Sequence, residues 1–152
     1  MCFVLYAGTT NPIPRRTFNK DAPDLSVESL TERDAWVKQY FSKPEVQYIG
    51  STSSCGCDFP HAMLQNGQWP EIDASMDDEK DEYDVARDIS NRQNCEALAT
   101  LLRMTGDKSV ELFGFWDGDS AKPPHARENI SADTLLDSNF RFKEQGFYEV
   151  YL

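Results

Sequence analysis

The first apolar stretch of the chain, residues 2–7, limits the possible folds more than any other feature. It is apolar at every position and lacks the alternation of a strand with one face in water. A continuous apolar run of this length is typical of a central strand with both faces covered. The chain therefore needs packing layers on both sides of the sheet that contains this strand.

Four further segments have the composition of strands. They cover residues 25–29, 46–50, 110–116 and 147–152. We therefore predict an α+β fold, with a mixed sheet of four or five strands and two main helices packed on it. At 152 residues, and without a long linker, the chain fits a single domain spanning residues 1–152.

Two segments have apolar residues at helical spacing. The first predicted helix starts at Thr31, a typical N-cap residue, and ends before Pro44. The second starts at about residue 77 or 83 and runs to residue 104, with Gly106 as its C-terminal stop. Five of its residues are predicted to share one buried face, namely Ile89, Cys95, Leu98, Ala99 and Leu102.

The charge of the chain argues against two classes of partner. It has 26 acidic and 15 basic residues, a formal net charge of −11. Nucleic acid and anionic membrane surfaces are bound largely through Lys and Arg, so we expect no nucleic acid and no membrane as a partner. The apolar N-terminal stretch is short and lacks the basic residues of a signal peptide. We therefore expect a cytoplasmic protein with reduced cysteines.

Much of the acidity lies in residues 71–88, with a cluster of carboxylates at 77–84. The simplest interpretation is a solvated linker and helix start, because acidic side chains favour a helix N-terminus. The alternative is a non-catalytic interaction protein that uses this segment, or the loop 116–125, to bind a protein partner. Nothing in the sequence indicates an oligomeric state.

The segment 48–61 has the strongest features of a functional site. An apolar strand leads into small hydroxylated residues, and then Cys55 and Cys57 follow with only Gly56 between them. Glycine at this position allows backbone conformations and close contacts that other residues cannot make at low cost.

Three interpretations of these two thiols are open. They are core residues if both face inward, as free cysteines usually do. They are zinc ligands if Cys55, Cys57 and His61 bind the ion together with Cys2 or His125, although structural zinc sites more often use Cys-x2-Cys spacing. They are catalytic, in redox or nucleophilic chemistry, if Cys55 and Cys57 supply the thiols and His61 the base.

The residues around the thiols do not favour a reactive thiolate. Asp58 raises the pKa of its neighbours, and no Lys or Arg lies between Ser51 and Met63. The chain also lacks the Gly-x-Ser-x-Gly, His-Glu-x-x-His and Walker motifs and the dinucleotide fingerprint. We expect no cofactor other than zinc.

The other two cysteines have different expected roles. Cys2 would be an N-terminal nucleophile if removal of methionine freed its amine, but its position in an apolar strand predicts that it is buried. Cys95 lies on the apolar face of the second helix and is predicted to be a core residue.

Three sequence features together resemble a group of small uncharacterised bacterial proteins. They are the opening Met-Cys-x-x-Leu-Tyr-x-Gly-Thr, the step Phe-Ser-Lys-Pro at 41–44, and Tyr-Ile-Gly-Ser at 48–51 followed by Cys55-Gly-Cys57. The resemblance covers about the first 60 residues. It implies a bacterial cytoplasmic protein and no particular activity.

Overall fold

The computed structural model describes residues 2–62, 82–117 and 122–152. Its elements are β1 (Phe3–Thr9), β2 (Ser26–Ser29), β3 (Glu45–Gly50), β4 (His61–Ala62), α1 (Glu82–Arg103), β5 (Ser109–Trp116), β6 (Ala126–Ser131), β7 (Phe142–Lys143) and β8 (Gly146–Tyr151). Six strands form one mixed sheet in the order β2-β3-β1-β5-β8-β6. Adjacent strands in this sheet are antiparallel, except for β6 and β8, which run parallel to each other. The short strands β4 and β7 form a separate parallel pair.

The position of β1 confirms the prediction from its apolar run. β1 pairs with β3 on one side and with β5 on the other, so it lies inside the sheet. Phe3, Leu5 and Ala7 belong to the core cluster that includes Leu98 of α1, whereas Tyr6 belongs to a second cluster. Because successive strand residues point to opposite faces, β1 contributes to two packing layers.

The predicted α+β class with a mixed sheet is confirmed, but the predicted number of elements is wrong. The sheet has six strands rather than four or five, and the described part of the chain has one long helix rather than two main helices. The strand that the sequence did not reveal is β6, a polar segment at the sheet edge whose residues alternate between half-buried and exposed. Its composition has few strand-forming residues, so its pairing with the apolar strand β8 determines its conformation.

The predicted helix at Thr31 is a short 3₁₀ helix, Ala35–Tyr40. Thr31 does not cap it, because its hydroxyl donates to the Asp34 carboxylate at 2.8 Å. The ring of Trp36 packs on the ring of Phe115 with centroids 5.3 Å apart. An isolated α-helix of this length is unstable, and the contact with the sheet therefore decides the conformation.

Helix α1 corresponds to the second predicted helix. An earlier start near residue 77 lies outside the described residues. Gly106, with φ +74°, provides the left-handed stop that was expected. Of the predicted buried face, Cys95, Leu98, Ala99 and Leu102 are buried, but Ile89 is 53% exposed. The prediction for Ile89 is wrong because α1 contributes to the described core clusters only from Cys95 onward.

A buried carboxylate holds the turn that precedes β3. Glu111 on β5 accepts hydrogen bonds from the backbone N–H groups of Ser42 at 3.0 Å and Lys43 at 3.1 Å, and from the Ser42 hydroxyl. Its side chain lies on the sheet face where the neighbouring ring of Phe41 packs on Phe147, with centroids 5.2 Å apart. Glu111 therefore fixes the segment that covers this face.

We expect the substitution Glu111→Gln to lower the free energy of unfolding by about 1.5–3 kcal/mol, because hydrogen bonds to a charged acceptor are lost. Urea denaturation monitored by tryptophan fluorescence measures this change. The matched control is Glu96→Gln at an exposed position of α1, which should leave the midpoint unchanged. Equal midpoints for both variants would show that the buried carboxylate does not hold the turn.

Candidate functional site

The loop that follows β3 is a tight turn closed by Ser51. The backbone N–H and the hydroxyl of Ser51 both donate to the carbonyl of Cys55, and the Ser51 carbonyl accepts from the N–H of Ser54 at 2.9 Å. Ser54 has φ +75°, a left-handed conformation that non-glycine residues adopt mainly in turns. Ser51 is fully buried, so water does not compete for these bonds. The small hydroxylated residues are thus part of the turn itself.

A buried asparagine attaches this loop to helix α1. Asn94 Oδ1 accepts the backbone N–H of Thr52 at 2.9 Å, and Asn94 Nδ2 donates to the carbonyl of Ser90 at 2.8 Å. The side chain is fully buried. The sequence contains a signal for this role. Asn94 is a polar residue four positions before Leu98, on the apolar face of the helix.

Gly56 brings the loop against the start of β1. A Cβ atom at Gly56 would lie 2.5 Å from the carbonyl oxygen of Phe3, closer than real Cβ contacts allow. The positive φ angles in the described residues belong to Ser54, Gly106 and Gln145, so Gly56 is needed for space and not for a left-handed conformation.

This close approach assembles three thiols. The sulfur atoms of Cys2, Cys55 and Cys57 lie within 4.8 Å of one another. Cys55 and Cys57 are half-buried and Cys2 is exposed, so the prediction that Cys2 is buried is wrong. Cys2 lies just before β1, where its carbonyl accepts the N–H of Asp117 at 2.9 Å. It therefore extends the sheet without entering the core.

The surroundings of Cys57 favour its neutral thiol. Burial is the main factor that raises the pKa of Cys57, to about 12, and the neighbouring thiols of Cys55 and Cys2 raise it further. A hydrogen bond from the backbone of Phe3 acts in the opposite direction. The backbone N–H of Cys57 itself donates to the sulfur of Cys55 at 3.3 Å. Without an added positive charge, this group is a poor source of thiolate.

His61 lies beside the same strand but does not join the three thiols. Its ring stacks on Phe3 with centroids 4.8 Å apart and meets Trp116 edge-on at 5.1 Å. Its Nδ1 donates to the carbonyl of Phe59 at 2.8 Å, which leaves Nε2 without a proton in the neutral ring. Burial lowers the pKa of His61 below its ordinary value. The ring therefore belongs to an aromatic cluster on the Phe3 side chain.

Tyr48 is close to the thiols, and the sequence analysis gave it no role in the site. Its hydroxyl donates to the carbonyl of Ser54 at 3.1 Å. Burial raises the pKa of Tyr48, and the Cys55 thiol and the Glu28 carboxylate raise it further. The phenol is therefore neutral and lines the site. The sequence contained no signal for it beyond its place at the end of β3.

The remaining candidates lie elsewhere or outside the described residues. His125 does not join the thiol group, and Cys95 is buried in the core as predicted. The acidic segment 71–88 and the loop 116–125 fall largely or partly outside the described ranges. Within these ranges, no helix is both long and apolar enough to cross a bilayer.

Comparison with protein-family models, with curated proteins and with solved structures finds no match to this chain.

Loss of the asparagine side chain should loosen the thiol loop. We expect Asn94→Ala to lower the free energy of unfolding by about 1–3 kcal/mol, because the N–H of Thr52 loses its buried acceptor. We also expect the loop thiols of the folded protein to react several times faster with Ellman's reagent. Gln93→Ala, at an exposed position of the same helix, is the control. If stability falls but thiol reactivity does not change, Asn94 stabilises the helix without positioning the loop.

The lowered pKa of His61 predicts a pH dependence of stability. In the unfolded chain the His61 ring binds a proton near pH 6.5, whereas in the folded chain it does so only at lower pH. The contribution of neutral His61 to the free energy of unfolding is therefore fully present above about pH 6.5 and is lost as the pH falls through the lower pKa of the folded state. We expect His61→Phe, which keeps a stacked ring, to flatten this dependence between about pH 7.5 and 5.5. Urea midpoints across this range measure it, and His125→Gln is the matched control. Parallel curves of urea midpoint against pH for wild type and His61→Phe would show that His61 does not cause the pH dependence of stability.

Proposed function

We propose that the protein binds a soft metal ion, of the zinc or copper(I) type, through the thiolates of Cys2, Cys55 and Cys57. The observation that supports this most directly is the approach of three sulfur atoms to within 4.8 Å. Thiolates are the ligands that select such ions. Two of the three come from the loop after β3 and the third from the residue that precedes β1, so the arrangement is a product of the tertiary fold.

The spacing of the sulfurs is compatible with coordination after small side-chain rotations. Zinc–sulfur bonds of about 2.3 Å in a tetrahedral site place sulfur atoms about 3.8 Å apart. The three atoms are already gathered within 4.8 Å, and the exposed side chain of Cys2 has room to adjust.

The surroundings also contain the outer contacts that a thiolate site needs. The N–H of Cys57 donates to the Cys55 sulfur at 3.3 Å, and the backbone of Phe3 stabilises the Cys57 thiolate. Donors aimed at the ligand atoms hold them in position and stabilise their charged form. A bound cation would reverse the effect of burial on these thiols, since coordination deprotonates them.

Thiol–disulfide exchange is the second candidate. The same proximity would allow Cys2 and one loop cysteine to form a disulfide: the two thiols lose two protons and two electrons, and an external disulfide is reduced to two thiols. The exposure of Cys2 supports this. The raised pKa of Cys57 and the acidic neighbour Asp58 oppose it. His61, the expected base, lies outside the thiol group.

Metal binding tests the proposal. We expect the reduced full chain to bind one equivalent of zinc or copper(I), and each of Cys2→Ser, Cys55→Ser and Cys57→Ser to weaken binding by more than the roughly 10–100-fold typical of outer contacts. Competition with a chromophoric chelator measures the affinity. Cys95→Ala removes a core thiol and is the control, with unchanged metal stoichiometry. Absence of tight binding, combined with rapid formation of one disulfide in the presence of an oxidised small thiol, would favour the redox alternative.

A further inference from the structure

The thiol group offers three sulfur donors to a single ligand. The sulfur atoms of Cys2, Cys55 and Cys57 lie within 4.8 Å of one another, although they come from two separate parts of the chain. Trivalent arsenic and antimony are soft centres that prefer sulfur donors. Each completes its coordination with three such bonds and keeps a lone pair. These three residues therefore meet the full ligand requirement of a trivalent metalloid, whatever other groups lie nearby.

Backbone bonds hold the three cysteines without using their sulfur atoms. The Cys2 carbonyl accepts the N–H of Asp117 at 2.9 Å, and the Cys55 carbonyl accepts the N–H of Ser51 at 3.1 Å. Cys57 follows two residues later in the same loop. After the first bond to a ligand has formed, the second and third form within one chain at a high effective concentration.

The partial burial of the loop thiols favours an uncharged complex. Cys55 and Cys57 are half-buried, and Cys57 packs against the main core cluster. A divalent ion held by three thiolates carries one net negative charge, and burial disfavours a net charge. Trivalent arsenic held by the same three sulfurs carries none.

The exchange reaction is balanced without an oxidant or a reductant. Arsenous acid is uncharged at neutral pH and has three As–OH groups. In each step an As–O bond breaks, an As–S bond forms, and the thiol proton leaves with the hydroxyl group as water. Three steps release three water molecules, and the oxidation state of arsenic does not change.

We propose that Cys2, Cys55 and Cys57 bind a trivalent metalloid, of the arsenite or antimonite class, through three sulfur bonds. The inference rests on the same thiol group as the proposed function and adds a ligand class for which three thiols are sufficient. The approach of the three sulfur atoms in the folded chain carries it.

Arsenite binding to the full chain tests the inference, with a phosphine as reductant because thiol reductants compete for arsenic. We expect one bound equivalent. In native mass spectrometry, three As–S bonds add one arsenic atom and remove three hydrogens, whereas two bonds leave a hydroxyl group on arsenic. Calorimetry should show that each of Cys2→Ser, Cys55→Ser and Cys57→Ser weakens binding at least about tenfold, because one intramolecular bond is lost. Cys95→Ala removes a buried core thiol and is the control, with unchanged affinity.

Phenylarsine oxide separates loss of the third bond from damage to the loop. Its arsenic carries a phenyl group and accepts two thiols, so Cys2→Ser should still bind one equivalent through Cys55 and Cys57. We also expect denaturing urea to weaken arsenite binding to the wild-type chain at least about tenfold, because the unfolded chain does not hold the thiols together.

Three results would overturn the inference: a wild-type adduct that keeps a hydroxyl group on arsenic, unchanged arsenite affinity in Cys2→Ser, or equal affinity of the folded and denatured chains. Zinc and copper(I) titrations of the same preparation test the proposed function separately. Tight zinc or copper(I) binding without arsenite binding would leave the proposed function in place and reject this inference. Three-bond arsenite binding without zinc or copper(I) binding would support this inference and reject the proposed metal site.

Discussion

The contact between Gly56 and the carbonyl of Phe3 is the constraint on which the site depends. It lets the loop after β3 approach the start of β1 more closely than any residue with a Cβ would allow. Because β1 and β3 are antiparallel neighbours, the end of β3 and the beginning of β1 lie at the same edge of the sheet. The thiols of Cys55 and Cys57 therefore meet Cys2, which is distant in the sequence.

His61, which the sequence pattern groups with Cys55 and Cys57, does not join the three thiols. The Phe3 ring stacks on His61, while its backbone stabilises the thiolate of Cys57. Side chain and backbone of one residue thus contact different groups. A pattern of Cys, Cys and His close together in sequence does not show that the histidine ring packs on the Phe3 side chain and stays outside the thiol group.

Much of the fold could be predicted from local patterns, and the site only in part. β1 and α1 could be predicted because their own residues are apolar at the positions that are buried, and this pattern is visible in the local sequence. β6 could not be predicted, since its conformation depends on pairing with β8. The helix predicted at Thr31 is a 3₁₀ helix because aromatic contacts with the sheet determine its conformation. For the site, the residue types indicate Cys55 and Cys57, with Cys2 as one candidate for a further zinc ligand. The proximity of the three thiols could not be predicted without the order of the strands in the sheet.

The bonds that hold the thiol loop do not involve a metal. Ser51 closes the turn through backbone groups, and Asn94 attaches it to α1. A classical zinc finger is unfolded without its ion, so the free energy of metal binding supplies the free energy of folding. Here the core of the described residues includes many buried apolar side chains on both faces of the sheet. The fold itself thus brings the thiols together, and in the proposed metal site less conformational entropy would be lost on binding. A preorganised and partly exposed set of three thiols is suited to reversible binding, because the binding energy is not needed to fold the chain.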